Sequence, residues 1–255
     1  MNAEMKTAWV LTGEGINCEV ETAEACRRAG FKTTVFHLSE CVTKPRSLDA
    51  CSLLVLPGGF SFGDELGSGR VLALKLRHQL GWDLGKFAEA GGLVLGICNG
   101  FQALVALGAF GEGVALAPNE DGRFRNEWVR LEVTPGAIHD SPFLKGINAI
   151  ELPIRHGEGR LLFSDPRPGE KHLDRVPALY YSTNPNGSTD PIAGLFDSTL
   201  RVFGLMPHPE GFQRTSQHPG YHRDPGDPFG PGAGLDLFIN AFRSARTLPA
   251  LKDKG

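Results

Sequence analysis

The most informative stretch of the chain is Leu93-Val94-Leu95-Gly96-Ile97-Cys98-Asn99-Gly100-Phe101-Gln102. Its first five residues form a short, continuously apolar run, which is typical of a buried strand in a parallel sheet. The residues after Cys98 continue into an apolar stretch of helical character. The sequence therefore predicts a cysteine at the turn between a central strand and a helix.

Glycines flank this cysteine where a tight turn needs them. Gly96 and Gly100 lie two residues before and after Cys98, as the glycines do in the G-x-S-x-G nucleophile elbow. A helix that begins after Cys98 also directs its positive end at the sulfur, which favours the reactive thiolate. A buried structural cysteine is the alternative interpretation, because free cysteine is among the most buried residue types.

A second motif, Pro207-His208-Pro209-Glu210, follows the apolar run Val202–Leu205. A residue before proline is pushed towards extended geometry, and positions i and i+2 of an extended segment project to the same side. We therefore expect the imidazole of His208 and the carboxylate of Glu210 to lie together. If this strand ends beside Cys98, the three residues supply a thiolate, a general acid and base, and an orienting carboxylate.

A third element is the apolar run Leu53–Leu56, which leads into Pro57-Gly58-Gly59-Phe60. A buried strand that ends in two glycines leaves backbone N–H groups exposed at the sheet edge, where they can hold a developing oxyanion. An ordinary turn after a strand is the competing interpretation, because glycine pairs mark turns in many proteins.

Strands and helices alternate through the first half of the chain, which predicts a mostly parallel α/β sheet with helices on both faces. Asn17 is the expected cap of the first helix, and a later helix is expected over residues 65–79. From Trp128 onward short strands dominate, which predicts an antiparallel extension that returns His208 to the sheet. No linker or repeat divides the chain, so we expect one domain over residues 1–255.

Composition restricts the classes of function. The 255 residues carry a formal net charge of −3 without a run of Lys or Arg, so we expect no binding to nucleic acid or to a membrane surface. Apolar stretches fall short of the roughly 20 residues that span a bilayer, and the N-terminus has no signal-peptide pattern. The remaining cysteines share no C-x-x-C spacing, which favours a reduced, cytoplasmic protein; they are Cys18, Cys26, Cys41 and Cys51.

A metal site is not predicted. His218 and His222, with Asp224 nearby, have a spacing that could bind a metal ion. They lie in a segment, residues 213–234, that is rich in Pro and Gly, and no Cys or Glu supplies a firm third ligand there. A solvated loop is therefore the favoured interpretation.

Together the three motifs resemble those of the class I, triad-type glutamine amidotransferases. Residues 96–102 are similar to that family's nucleophile motif, residues 57–64 to its oxyanion strand, and residues 207–210 to its His/Glu motif. Three further stretches resemble those of one group within the family, the glutaminase subunits of phosphoribosylformylglycinamidine synthase. The stretches that carry this narrower resemblance are residues 155–160, 184–188 and 204–210.

The resemblance implies a flavodoxin-like fold and a set of roles. Cys98 is the expected nucleophile, His208 the acid and base, and Glu210 the residue that orients the imidazole. Backbone N–H groups of Gly59 and Asn99 are expected to hold the oxyanion. Gln102 and Phe60 are expected to bind the substrate, glutamine.

The resemblance also implies a partner. Ammonia released from glutamine is expected to pass to a synthetase subunit, with or without a small third subunit, that converts formylglycinamide ribonucleotide to formylglycinamidine ribonucleotide in purine biosynthesis. The chain has no Walker-type loop, so ATP and Mg²⁺ are expected on the synthetase and no cofactor on this chain. Three alternatives stay open: a glutaminase of another synthetase, a stand-alone cysteine hydrolase of the same fold, and a non-catalytic binding subunit.

Two positions differ from the family's usual pattern. Gly211 follows the His/Glu motif where the family usually has arginine, and Glu127 stands where arginine is common. The segment 213–234 is also longer than expected. These differences do not affect the three triad candidates. They concern the surface that docks on the synthetase or the identity of the pathway that the protein serves.

Overall fold

In the part of the chain that the structure describes, the strand that precedes Cys98 lies inside a nine-stranded sheet. The structure is a computed structural model that describes residues 5–64, 67, 69–134, 141–164, 175–223 and 225–245. Within these residues the strands, in chain order, are β1 (Thr7–Thr12), β2 (Lys32–His37), β3 (Leu53–Leu56), β4 (Leu93–Ile97), β5 (Val114–Pro118), β6 (Arg125–Val133), β7 (Ala149–His156), β8 (Glu158–Phe163), β9 (Arg175–Tyr181), β10 (Ile192–Asp197) and β11 (Val202–Leu205).

The main sheet joins a parallel half to an antiparallel half. Its strand order is β2-β1-β3-β4-β11-β10-β9-β6-β7. The strands from β2 to β11 in this order pair parallel, and those from β11 to β7 pair antiparallel. β5 and β8 form a separate antiparallel pair. The prediction of a mostly parallel α/β sheet with an antiparallel extension in the second half of the chain is confirmed.

Six α-helices cover this sheet in the described part of the chain: α1 (Glu19–Ala29), α2 (Leu38–Thr43), α3 (Arg70–Lys75), α4 (Leu84–Glu89), α5 (Asn99–Leu107) and α6 (Leu235–Ser244). Shorter turns of 3-10 or π helix are Leu48–Ala50, Ser61–Asp64, Leu76–Leu80, Pro209–Gly211, Thr215–Gln217 and Pro219–Arg223. Each of the described helices is too short or too polar to traverse a lipid bilayer.

Two predicted helix boundaries differ from the observed ones. The first helix begins at Glu19, so Cys18 rather than Asn17 occupies the N-cap position, and it makes no side-chain cap. The helix expected over residues 65–79 is shorter, because Gly69 adopts a left-handed conformation and α3 begins only after it. Residues 65, 66 and 68 of that prediction lie outside the described residues.

The core lies where β3, β4 and β11 meet α5. Every residue of these three strands is buried, which explains why their sequences are apolar without alternation. Parallel neighbours end at the same edge of a sheet, so residues after β3, β4 and β11 are brought together there. This edge holds the three motifs singled out from the sequence.

Replacing Gly100 by alanine is expected to destabilise the fold. A Cβ atom at this position would collide with the backbone oxygen of Leu56, so α5 would have to move away from β3. Overpacking of this kind costs about 3 kcal/mol of unfolding free energy, or about 6 to 12 °C in melting temperature for a chain of this size. Thermal unfolding measures the change. Gly85→Ala is the matched control, because Gly85 is exposed in α4 and its Cβ makes only ordinary contact; equal losses for both variants would refute the prediction.

Candidate active site

Cys98 occupies a strained turn between β4 and α5. Its φ is 49° and its ψ is −104°, a region that non-glycine residues rarely adopt. The backbone holds it there, because the Cys98 N–H donates to the oxygen of Leu205 at 2.8 Å and its own oxygen accepts from the N–H of Gln102 at 3.0 Å. The residue is only 5% exposed, and it lines a surface cavity. This is the backbone geometry of a nucleophile elbow.

The neighbouring strand brings the histidine to the same place. β11 pairs parallel with β4, and Leu205 lies opposite Ile97. The chain then continues to His208, whose N–H donates to the oxygen of Pro153 at 2.8 Å. The thiol of Cys98 donates to the oxygen of Arg155 at 3.8 Å, and Cys98 and His208 line the same cavity. The structure therefore brings the predicted nucleophile and the predicted acid and base together.

Glu210 completes the group. Its Oε1 lies 2.5 Å from Nδ1 of His208, and both side chains are almost fully buried. The expectation of an extended segment was wrong, because only His208 is extended and Pro209–Gly211 forms a 3-10 turn. Proline has a φ suited to the first position of a helical turn, and the N–H of Gly211 donates to the oxygen of His208 at 3.1 Å. The turn folds the carboxylate back onto the imidazole.

The charge state of His208 is set by its neighbours. Burial by itself lowers the pKa of His208, but the carboxylate of Glu210 and the thiol of Cys98 raise it, and the pKa ends well above its ordinary value. Nε2 of His208 has no hydrogen-bond partner of regular geometry among the described residues. Contacts between nucleophile and base are often loose until a substrate is bound. An imidazolium held by a carboxylate beside a thiol is suited to acyl transfer.

The predicted oxyanion residues lie on the same edge. Gly59 follows β3, has a φ of +150°, and lines the cavity together with Phe60. Asn99 begins α5 and is fully buried, and its Oδ1 accepts from the N–H of Ser61 at 3.3 Å. This bond ties the start of α5 to the loop after β3. Two backbone segments that carry the proposed donors are thus fixed relative to each other.

Gln102 lies behind this edge rather than in the cavity lining. Its Oε1 accepts from Nδ2 of Asn99 at 2.9 Å, and its Nε2 donates to the oxygen of Glu158. The side chain is 5% exposed. Its described contacts therefore position Asn99, and its expected role in binding glutamine stays a prediction.

The cavity beside Cys98 has a volume of about 500 Å³. Two of its residues carry opposite charges, Glu21 on α1 and Arg155 on β7. Phe60 and Phe124 stand at its mouth with their ring centroids 6.3 Å apart, and they are 46% and 54% exposed. The complete lining is Asn17, Cys18, Glu21, Gly59, Phe60, Cys98, Phe124, Asn126, Arg155 and His208.

Several residues of the cavity were not predicted from sequence motifs. Asn17, Cys18 and Glu21 follow β1, which is a parallel strand of the same sheet. Ligands of such sheets lie beyond the carboxyl ends of the strands, so this loop could have been assigned to the site from that rule. Phe124 and Arg155 come from the antiparallel half, and no local pattern in the sequence places them here.

Gly211 and Glu127, which depart from the family pattern, each lie close to an arginine. At Gly211, a Cβ atom would lie 3.6 Å from Nη2 of Arg155, so a guanidinium is present beside this position although residue 211 is glycine. Oε1 of Glu127 lies 3.9 Å from Nη1 of Arg125.

His218 is held by contacts with two strands of the antiparallel half. Its Nε2 lies 2.8 Å from Oε2 of Glu151, and its ring packs edge-on against Trp128 at 4.8 Å. These contacts attach the start of segment 213–234 to β6 and β7. Asp224 lies outside the described residues.

Acid is expected to destabilise the fold through His156. Burial lowers the pKa of His156 from 6.5 to about 4, so between these values the unfolded chain binds a proton that the folded chain does not. Unfolding free energy from this residue therefore falls as the pH drops from 6.5 to 4, by up to about 3 kcal/mol. The free energy of unfolding, measured with urea at both pH values, should fall less in His156→Gln than in the wild type. His78→Gln is the control, because His78 is exposed. An equal fall in unfolding free energy in the wild type and in His156→Gln would contradict this prediction.

Comparison with known proteins gives a consistent family. Residues 5–244 match the model of the CobB/CobQ-like glutamine amidotransferase domain. Phosphoribosylformylglycinamidine synthase subunit PurQ of Dehalococcoides mccartyi is 40% identical over 93% of this chain and 96% of its own. The same-named subunit of Thermotoga maritima is 38% identical over 80% of this chain and 86% of its own. A chain in the structure of PurLQS from Thermotoga maritima superposes with a TM-score of 0.73, at 34% identity, over 94% of this chain and 98% of its own.

Proposed function

This chain belongs to the PurQ family of phosphoribosylformylglycinamidine synthase subunits, within the glutamine amidotransferase domain family, and on that premise we propose how its site works. It is the glutaminase subunit of that synthase, and it hydrolyses glutamine to glutamate and ammonia. The observation that carries the mechanism is the convergence of Cys98, His208 and Glu210 at one sheet edge, where Cys98 and His208 line one cavity and Glu210 contacts His208.

The first step forms a thioester. The thiolate of Cys98 attacks the side-chain amide carbon of glutamine, and the carbonyl oxygen becomes negatively charged. Backbone N–H groups of Gly59 and Asn99 stabilise this oxyanion. The imidazolium of His208 gives its proton to the departing ammonia, while Glu210 keeps the ring oriented.

The second step hydrolyses the thioester. Neutral His208 takes a proton from water, the hydroxide attacks the acyl carbon, and glutamate leaves as the thiolate of Cys98 is restored. Glu210 stabilises the imidazolium that forms, which is consistent with its effect on the pKa of His208. Gln102 supports this cycle by holding Asn99.

The charges of the cavity suit glutamine. Glu21 and Arg155 have the signs needed to face the α-ammonium and the α-carboxylate of this zwitterion. Phe60 contributes apolar surface at the mouth. An amide with neither charged group would lose both attractions.

The partner is a synthetase subunit, with a small third subunit, as in the PurLQS assembly. Ammonia is mostly protonated in water at neutral pH and is then not nucleophilic, so the partner must receive it before it escapes. The exposed pair Phe60 and Phe124 at the cavity mouth offers aromatic surface of the kind enriched in protein interfaces. ATP, Mg²⁺ and formylglycinamide ribonucleotide bind to the synthetase in this proposal. Five free cysteines support a location in the reducing cytoplasm.

Reconstitution with the synthetase of the same organism tests this function. We expect formylglycinamidine ribonucleotide to form from glutamine only when this chain is added to the synthetase and the small third subunit, and to form from ammonium salts without this chain. Steady turnover of a peptide or a non-glutamine amide by the isolated chain would instead identify a stand-alone hydrolase. Glutamine hydrolysis without amidine formation would identify a glutaminase of another synthetase.

A further inference from the structure

A buried glutamine joins the 3-10 turn Pro209–Gly211 to the first turn of α1. Nε2 of Gln213 donates to the main-chain oxygen of Glu210 at 3.0 Å and to the main-chain oxygen of Glu21 at 2.8 Å. Gln213 is only 5% exposed. Both acceptors are carbonyl oxygens, so only the nitrogen of the amide can face them, and the orientation of the amide is fixed. The reaction proposed above gives this residue no task.

The main chain of Gln213 is held in place as well. Its N–H donates to Oε1 of Gln217 at 2.7 Å. Its oxygen accepts from Nη1 of Arg28 at 2.7 Å and from the N–H of Gly232 at 2.9 Å. These partners come from α1 and from both ends of segment 213–234. The amide therefore projects from a fixed main chain, and its position constrains the two oxygens that it binds.

The 3-10 turn depends on such external support. A helical turn of three residues has little stability of its own, because its hydrogen bonds are few and their geometry is poor. This turn carries the carboxylate of Glu210, whose Oε1 lies 2.5 Å from Nδ1 of His208. A shift of the turn away from Gln213 would therefore lengthen the contact between the carboxylate and the imidazole.

The second acceptor belongs to a residue of the cavity. Glu21 lies in the first turn of α1, and it lines the cavity beside Cys98. In the proposed function its carboxylate faces the α-ammonium of glutamine. Because the first turn of a helix moves as one unit, the bond from Gln213 to the main chain of Glu21 also determines how far this carboxylate reaches towards the substrate.

We propose that Gln213 is a positioning residue of the glutaminase, whose side-chain amide fixes the turn Pro209–Gly211 relative to α1. It thereby holds the carboxylate of Glu210 against His208 and the carboxylate of Glu21 at the substrate. One buried amide couples the orientation of the acid and base to the binding of glutamine. The effects on catalysis rest on the proposed function, whereas the effect on the contact between His208 and Glu210 does not.

Proton NMR of the full chain tests the geometry without any measurement of activity. The proton on Nδ1 of His208 lies in a short hydrogen bond to Glu210, so its resonance is expected far downfield. Isotope-labelled histidine and the variant His208→Gln, which removes the resonance, identify it. We expect the resonance to move upfield in Gln213→Met, because this substitution keeps the length of the side chain and removes both bonds of the amide.

Asn240→Leu is the matched control for this substitution. Asn240 is a buried amide in α6 whose Nδ2 also donates to two main-chain oxygens, those of Phe143 and Lys145. None of these three residues lines the cavity. The control therefore removes the same kind of bonds elsewhere in the fold, and it should keep the wild-type resonance of His208.

Steady-state kinetics of the complete synthetase complex give a second result. For Gln213→Met we expect the KM for glutamine to rise about tenfold and kcat to fall about tenfold. In the background of Glu21→Gln, the same substitution should no longer raise KM, because residue 21 then carries no charge for Gln213 to place. Asn240→Leu should keep the wild-type KM, since it loosens the fold without moving the site.

Two results would overturn the proposal: an unmoved His208 resonance in Gln213→Met, or equal changes in Gln213→Met and Asn240→Leu. Gln213→Asn serves if Gln213→Met does not fold, because the shorter side chain keeps the amide but cannot reach both oxygens at once. It should move the resonance in the same direction. A wild-type complex without glutaminase activity would refute the proposed function, while the NMR experiment still decides whether Gln213 holds the contact between His208 and Glu210.

Discussion

Cys98→Ala is expected to abolish glutamine hydrolysis, with kcat falling by about 10³-fold to 10⁶-fold. The strained turn presents this sulfur, and no thioester can form without it. The rest of the site should persist, because alanine fits the same backbone and the main-chain bonds of Cys98 to Leu205 and Gln102 do not involve the side chain. Glutamine should therefore still bind to the variant.

The measurement is ammonia release by the complete synthetase complex, with amidine formation from ammonium salts as the internal control. That second activity should stay at the wild-type level, since it does not need this chain. Cys41→Ala controls for loss of a buried thiol elsewhere in the fold. A Cys98→Ala complex that still uses glutamine at more than a few per cent of the wild-type rate would show that another group is the nucleophile.

The second large effect is expected for Glu210→Gln, with kcat/KM lower by about 10²-fold to 10⁴-fold. Glutamine has nearly the same shape as glutamate, but its uncharged amide cannot stabilise the imidazolium of His208. Because the carboxylate of Glu210 raises the pKa of His208, its removal lowers that pKa, and the imidazolium is lost at a lower pH. The alkaline limb of the rate profile should accordingly move to lower pH.

A pH profile of kcat/KM for wild type and variant gives this result. The matched control is Glu151→Gln, because Glu151 also lies 2.8 Å from a histidine, His218, but outside the cavity. We expect Glu151→Gln to keep the wild-type profile. An unmoved alkaline limb in Glu210→Gln would show that the carboxylate does not set the charge of His208.

The sequence predicts this fold well because the parallel half depends on local patterns. β3, β4 and β11 are buried on both faces, so their continuous apolar runs identify them directly. Cys98 is recognisable for the same reason, since the strand and the two glycines that form its turn lie within a few residues of it.

The local path of the chain between His208 and Glu210 could not be predicted in the same way. Alternation along an extended segment predicts that the two side chains lie together, and they do, but through a 3-10 turn at Pro209–Gly211. Proline is compatible with both geometries. Which of the two geometries forms depends on contacts with β7, where the oxygen of Pro153 accepts a hydrogen bond from the N–H of His208.

Residues from distant parts of the chain were the hardest to assign. Cys18 reaches the imidazole because the loop after β1 lies against Gly58, and Arg155 reaches the cavity because β7 belongs to the antiparallel half. No local pattern around either residue indicates that its side chain reaches the cavity. The pairing of the strands, rather than any short pattern, determines that they meet at this edge.

The most direct test of the account is the site at which a diazoketone analogue of glutamine labels the full chain. This reagent alkylates the thiolate that attacks the side-chain carbonyl, and the cavity holds two candidate thiols, Cys98 and Cys18. Peptide mapping should find one label per chain, on Cys98, with labelling prevented by excess glutamine. A label on Cys18, or on any residue other than Cys98, would contradict the assignment of the nucleophile.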